Sequence, residues 1–157
     1  MNSFILNDNI LVIMKKVLVF GTFDVLHKGH RYVLRKAKER GKVHVVLARD
    51  ETVEKLKGRK PFHTESFRKK QLEKKFNVEV VLGDKQDKLK PVRKVKPDIV
   101  LLGYDQKAFV DKLKEYAEKE NVVVERLSEF KSEKYKSSKL LRNPFRYSYE
   151  KVKSWLE

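Results

Sequence analysis

Five short apolar runs constrain the fold of this chain more than any other feature: 17–20, 43–48, 78–82, 98–102 and 122–125. Each is too short for a buried helix, and most are rich in β-branched residues, so they read as strands buried on both faces. Helical segments separate them, at 31–40, 51–57, 64–75 and 108–120, with a short piece opened by Pro91. Gly41 and Gly58 stand where the first two helices should stop, and Thr64 where the third should be capped. Phe109, Leu113, Tyr116 and Ala117 form one stripe on the last. Strands alternating with helices at this spacing join as right-handed βαβ units. The expected fold is therefore α/β and doubly wound: a Rossmann-like five-stranded parallel sheet with helices on both faces. Tyr149, Val152, Trp155 and Leu156 recur at helical spacing and predict a C-terminal helical extension.

A chain of 157 residues fits one core, and we divide it into an N-terminal extension (1–13), a central domain (14–142) and the extension at 143–157. The first thirteen residues lack the basic start and small-residue cleavage site of a signal peptide, and Met14-Lys15-Lys16 is an alternative start. No run reaches membrane-spanning length, so no membrane partner is expected and the cytoplasm is the expected location. Absence of cysteine excludes disulfides, cysteine-ligated metal and thiol nucleophiles. The 38 Lys and Arg against 22 Asp and Glu, a net charge of +16, favour polyanionic partners. Lysine- and glutamate-rich surfaces are equally a mark of heat adaptation, so charge alone does not choose a partner.

Parallel sheets bind ligands outside the carboxyl ends of their strands. Four polar clusters fall there: 21–30, Arg49-Asp50, Gly83-Asp84 and 103–106. The first, Gly21-Thr22-Phe23-Asp24-Val25-Leu26-His27-Lys28-Gly29-His30, is a strand-to-helix turn of the kind that presents backbone N–H groups and a positive helix end to a phosphate. It is neither a Walker A loop nor a GxGxxG dinucleotide turn. His27 and His30 would donate hydrogen bonds to phosphate oxygens, stabilising the charge that builds up during phosphoryl or nucleotidyl transfer. His30 shares a face with Val33, Leu34 and Ala37 and could simply be packed there. The HxGH pair on a glycine-bounded turn favours function. No third ligand of suitable spacing accompanies the pair, so no protein-held metal is assigned.

The 21–30 turn resembles the HxGH motif of the cytidylyltransferase-like nucleotidyltransferases. Residues 48–61 (ARDETVEKLKGRKP) and 96–106 (KPDIVLLGYDQ) look like the archaeal FAD synthetases within that superfamily. The resemblance spans about 15–139 and implies an enzyme that transfers AMP from ATP to FMN, with Mg²⁺ bridging the phosphates. By the same resemblance His27, His30 and Lys57 are catalytic. Gly21, Thr22, Phe23, Gly29, Arg59, Gly103, Tyr104, Asp105, Gln106, Ser137 and Ser138 bind nucleotide, and Asp24, Asp50 and Arg68 meet the acceptor. A homodimer is also implied. Two alternatives stay open at this point: a CTP-dependent transferase acting on glycerol 3-phosphate or a similar phosphoalcohol, and a non-catalytic nucleotide or nucleic-acid binder.

Overall fold

The computed structural model describes the backbone at 3–6 and 10–13, and residues 14–129 in full. An antiparallel hairpin comes first, β1 (Ser3–Leu6) on β2 (Ile10–Ile13), with Ser3 opposite Ile13 and Leu6 opposite Ile10. By sequence these residues are an N-terminal extension. The signal was two apolar runs flanking Asn7-Asp8-Asn9, which is turn chemistry.

The domain proper runs β3 (Lys16–Gly21), α1 (Lys28–Lys38), β4 (Lys42–Leu47), α2 (Asp50–Lys57), α3 (Glu65–Phe76), β5 (Glu79–Leu82), α4 (Lys90–Val95), β6 (Ile99–Leu102), α5 (Val110–Glu120) and β7 (Val123–Arg126). The five strands from β3 onward form one sheet in the order β5-β4-β3-β6-β7, parallel at every pairing. All five predicted strands are present, and the expected doubly wound sheet is the one observed.

Alternation along β3 shows why both faces are covered. Val17 and Val19 point into one core with Leu34 and Ala37 of α1 and Leu72 of α3. Leu18 points into the other with Val92 and Val95 of α4 and Val110 and Leu113 of α5. A strand buried on both sides needs the unbroken apolar run that the sequence supplies. Strand order reverses between β3 and β6, and the carboxyl ends of these two strands are Gly21 and Leu102.

Two local expectations shift. Helix α1 begins at Lys28, not 31, because His27 takes the cap position and brings Gly29 and His30 into the first turn. The helix closes on Glu39, so Gly41 is not its cap. Gly41 is instead required where β4 starts: a Cβ there would lie 2.1 Å from the Lys15 carbonyl oxygen, which accepts the Lys42 N–H at 2.8 Å. Gly58 ends α2 in the left-handed conformation, as expected. The hydroxyl of Thr64 caps α3 by accepting the Phe67 N–H at 3.3 Å.

Candidate active site

The chain leaves β3 at Gly21 and turns sharply. Phe23 adopts φ 46, and its ring folds back so closely over Gly21 that a Cβ there would meet Phe23 Cε2 at 2.6 Å. That ring lies 5.0 Å from the ring of His30. Helix α1 then starts on His27, whose Nδ1 accepts the Gly29 N–H at 3.1 Å. The two imidazoles stack, with centroids 3.8 Å apart and planes 23° from parallel.

Burial pushes His27 down to about 4. His30 is held well below its ordinary value, first by burial and then by His27 and Lys57, with the Val25 carbonyl opposing. Both rings are therefore neutral at pH 7. An accepting Nδ1 puts the proton of His27 on Nε2, so this ring is a donor of fixed sense. We expect neither histidine to titrate between about pH 5.5 and 8 in ligand-free protein when followed by NMR of the ring C–H resonances. A midpoint near 6.5 for either would contradict the packing. Because both folded values lie below the unfolded one, the unfolded chain protonates first. The stability gained by keeping the rings neutral is complete above about pH 6.5 and is lost as pH falls toward 4.

A cavity of about 580 Å³ opens over the carboxyl edge of the sheet. One part of its wall is polar: Thr22, His30, Lys57, Gly103, Asp105 and Gln106. The turn after β3 and the turn after β6 thus face one another across the point of strand reversal, as the clustering of polar residues at strand ends predicts. Lys57 is lowered chiefly by burial and next by Arg59, while Asp24 and Asp105 favour its charged form. The rest of the wall is largely apolar and includes Phe20, Val46, Leu56 and Phe109. Lys88 and Lys107 also reach the cavity, and the Lys88 ammonium stands 5.9 Å from the Phe109 ring centre.

The 103–106 turn is held from below by a residue that sequence reading missed. Arg126, at the end of β7, donates through Nη1 to the carbonyls of Gly103, Tyr104 and Gln106 at 2.9, 3.3 and 2.8 Å. The Gly103 N–H is closed by Gln106 Oε1 at 3.1 Å. An arginine at the end of an edge strand carries no motif, and only the sheet order brings it under this loop.

The three residues expected to meet the acceptor are all engaged within the chain. Asp24 is buried, and its carboxylate accepts the N–H groups of Phe62 and His63 at 2.7 and 2.9 Å. It clamps the 58–63 loop to the turn after β3. Arg68 is fully buried, and its guanidinium donates to the carbonyls of His63, Thr22 and Ala48 at 3.1, 2.6 and 2.9 Å and to Asp50 Oδ1 at 2.7 Å. Asp50 Oδ2 accepts the Glu65 N–H, and Glu65 in turn accepts the Asp50 N–H at 2.9 Å. Asp24, Asp50 and Arg68 form an internal brace that ties the ends of β3 and β4 to the start of α3, and none of them lines the cavity.

Gly21 and Phe23 line the cavity with the polar residues above. His27 stands behind His30, and Gly29, Arg59 and Tyr104 lie off the cavity wall. Ser137 and Ser138, and the C-terminal extension, lie outside the described residues. Thr52, Leu56, Lys88 and Phe109 join the wall without having been predicted. No helix among the described residues is long and apolar enough to cross a membrane.

Comparison with known proteins places this geometry among relatives. The family model described as cytidylyltransferase-like matches residues 18–143. An FAD synthase of Aciduliprofundum boonei is 43% identical over 113 residues, 71% of this chain and 75% of the relative. One from Ferroglobus placidus is 41% identical over 113 residues, covering 71% and 74%. The crystal structure of a lipopolysaccharide core biosynthesis protein from Thermoplasma volcanium superposes with a TM-score of 0.66 at 36% identity, covering 74% of this chain and 98% of that one.

Proposed function

Because the chain belongs to the cytidylyltransferase-like family, we propose that it is an FMN adenylyltransferase, joining AMP from ATP to FMN to give FAD and pyrophosphate. The observation that carries this reading is the cavity shared by the HxGH turn and the 103–106 turn, in a chain more than 40% identical to two FAD synthases. A terminal phosphate oxygen of FMN attacks the α-phosphorus of ATP in line. The new P–O–P bond forms as the bond to the β-phosphate oxygen breaks, and pyrophosphate leaves with that electron pair. The attacking phosphate monoester is already anionic at pH 7, so the step requires no general base.

What the protein must supply is position and charge. His30 lines the cavity and is assigned the N–H that meets the triphosphate as negative charge grows. His27 orients it by stacking from behind. Lys57 lines the same cavity and would meet phosphate when substrate enters. Gly21, Thr22, Phe23 and Gly29 shape the turn, and Gly103, Asp105 and Gln106 meet the nucleoside, with Arg126 fixing their loop.

A Mg²⁺ ion fits as a passenger on the triphosphate, since such an ion uses one or two carboxylates plus phosphate oxygens. The cavity's carboxylates are Asp84 and Asp105, and either would hold the ion beside the phosphate oxygens. When bound, the ion offsets phosphate charge.

The test offers the purified protein ATP or CTP with Mg²⁺, each with FMN or glycerol 3-phosphate, and measures pyrophosphate and FAD. Release with ATP and FMN alone is expected. Release only with CTP would replace the reading by a cytidylyltransferase. No release from any pair, combined with tight duplex binding that weakens steeply with salt, would support a nucleic-acid binder.

A further inference from the structure

The cavity is divided in character, and the division is informative. A triphosphate and ribose need hydrogen-bond donors, which the His30, Lys57 and Gln106 side supplies. The lining also offers Phe20, Val46, Leu56 and Phe109, a surface that no phosphate can use. Phe20 and Phe109 meet edge to face, with centroids 5.1 Å apart and planes at 77°. Leu56 is 63% exposed, although it sits in the last turn of α2 where a polar residue would cost nothing. An exposed leucine alone needs no explanation, but one that completes an aromatic wall beside a polar half-site does.

Backbone strain falls on two rings of this cavity, one of them in that wall. Among the described residues, five other than glycine have positive φ: Phe23, Asn77, Lys96, Phe109 and Asn121. Asn77, Lys96 and Asn121 are the C-caps of α3, α4 and α5, where the left-handed conformation is usual. Phe23 and Phe109 are not C-caps, and both line this cavity. Holding a bulky residue at φ 46 or φ 51 costs on the order of 1–2 kcal/mol. At both sites the strained backbone sets the direction of a ring that faces the ligand space.

We infer that the apolar half of the cavity, walled by Phe20, Val46, Leu56 and Phe109, seats the tricyclic ring of the flavin acceptor, leaving the polar half to the nucleoside triphosphate. The inference rests on the FMN adenylyltransferase reading and assigns it an acceptor subsite. The flat, largely apolar flavin ring matches an aromatic wall, since aromatic pairs gain from edge-to-face and offset contact beyond the area they bury. Lys88 and Lys107 at the rim would lie near the polar edge of the ring. On this arrangement the HxGH turn, Lys57 and the turn after β6 hold the donor nucleotide, while Phe20, Val46, Leu56 and Phe109 select what receives it.

The test is the steady-state KM for each substrate in Leu56→Ala and Phe109→Ala, with FMN binding followed by quenching of flavin fluorescence. Leu56 is exposed, so Leu56→Ala should keep the wild-type thermal midpoint. Removing carbons from an apolar pocket typically costs 10- to 200-fold in discrimination. We expect the KM for FMN to rise at least about tenfold in both variants while the KM for ATP stays within about twofold. An ATP KM that rises instead would overturn the inference and place the adenine there, and so would variants in which neither constant moves. If the wild-type protein makes no FAD and does not quench FMN, the adenylyltransferase reading falls and the subsite falls with it. If the wild type makes FAD but the variants are unchanged, only the subsite is wrong.

Discussion

His30→Ala should lower kcat/KM for FAD formation by about 10²- to 10³-fold while the fold survives. The estimate follows from where the ring stands. His30 lines the cavity, is held neutral by burial and packs against Phe23 and His27, and the proposed function assigns its N–H to the triphosphate. A preorganised donor aimed at developing charge is worth about 3–4 kcal/mol of transition-state stabilisation, far more than an equivalent bond in water. The loss should therefore appear in kcat rather than in the KM for ATP. Truncation also removes the stack on His27, so circular dichroism and a thermal midpoint belong beside the kinetics, and His30→Gln serves as a partner variant that keeps bulk and a donor. Turnover within a few-fold of wild type in His30→Ala would remove the histidine from the mechanism, whatever the sequence motif implies.

How far the sequence could carry the reading depends on what kind of information each feature needs. The sheet was legible because a strand buried on both faces must be apolar without alternation, and 17–20, 43–48 and 98–102 satisfy that locally. The HxGH turn was legible because both histidines and both glycines lie within ten residues. The cavity wall was harder: Leu56, Lys88 and Phe109 come from α2, from the segment between β5 and α4 and from the start of α5, and only the order β5-β4-β3-β6-β7 puts them around one space. Asp24, Asp50 and Arg68 illustrate the opposite problem. Charged residues near a site read naturally as ligand contacts, and nothing in a one-dimensional pattern says that their partners are carbonyls and N–H groups of the same chain. Arg126 was invisible for the same reason, its three acceptors lying 20 to 23 residues away in sequence.

Arg68 gives the second large prediction. An arginine that is 0% exposed cannot be kept for solubility, and its four acceptors sit on three separate segments that converge on the site. In Arg68→Met the carbonyls of Thr22, Ala48 and His63 lose their donor, and Asp50 loses its cation. Removing one member of a buried, hydrogen-bonded charge pair costs about 3–5 kcal/mol, equivalent to a fall in Tm of roughly 6–20 °C for a domain of this size. Arg68→Lys retains the charge opposite Asp50, but a single ammonium cannot span the acceptors that the planar fork reaches, so we expect it to recover about half of the lost stability. Thr22 and Asp50 begin the segments that carry His27 and Lys57, so both variants should lose kcat in proportion to how far the brace loosens. The competing idea, that Arg68 binds the acceptor, makes a different forecast: a raised KM for FMN at an unchanged Tm. Thermal denaturation and the KM for FMN, measured on the same two proteins, decide between a brace and a binding residue.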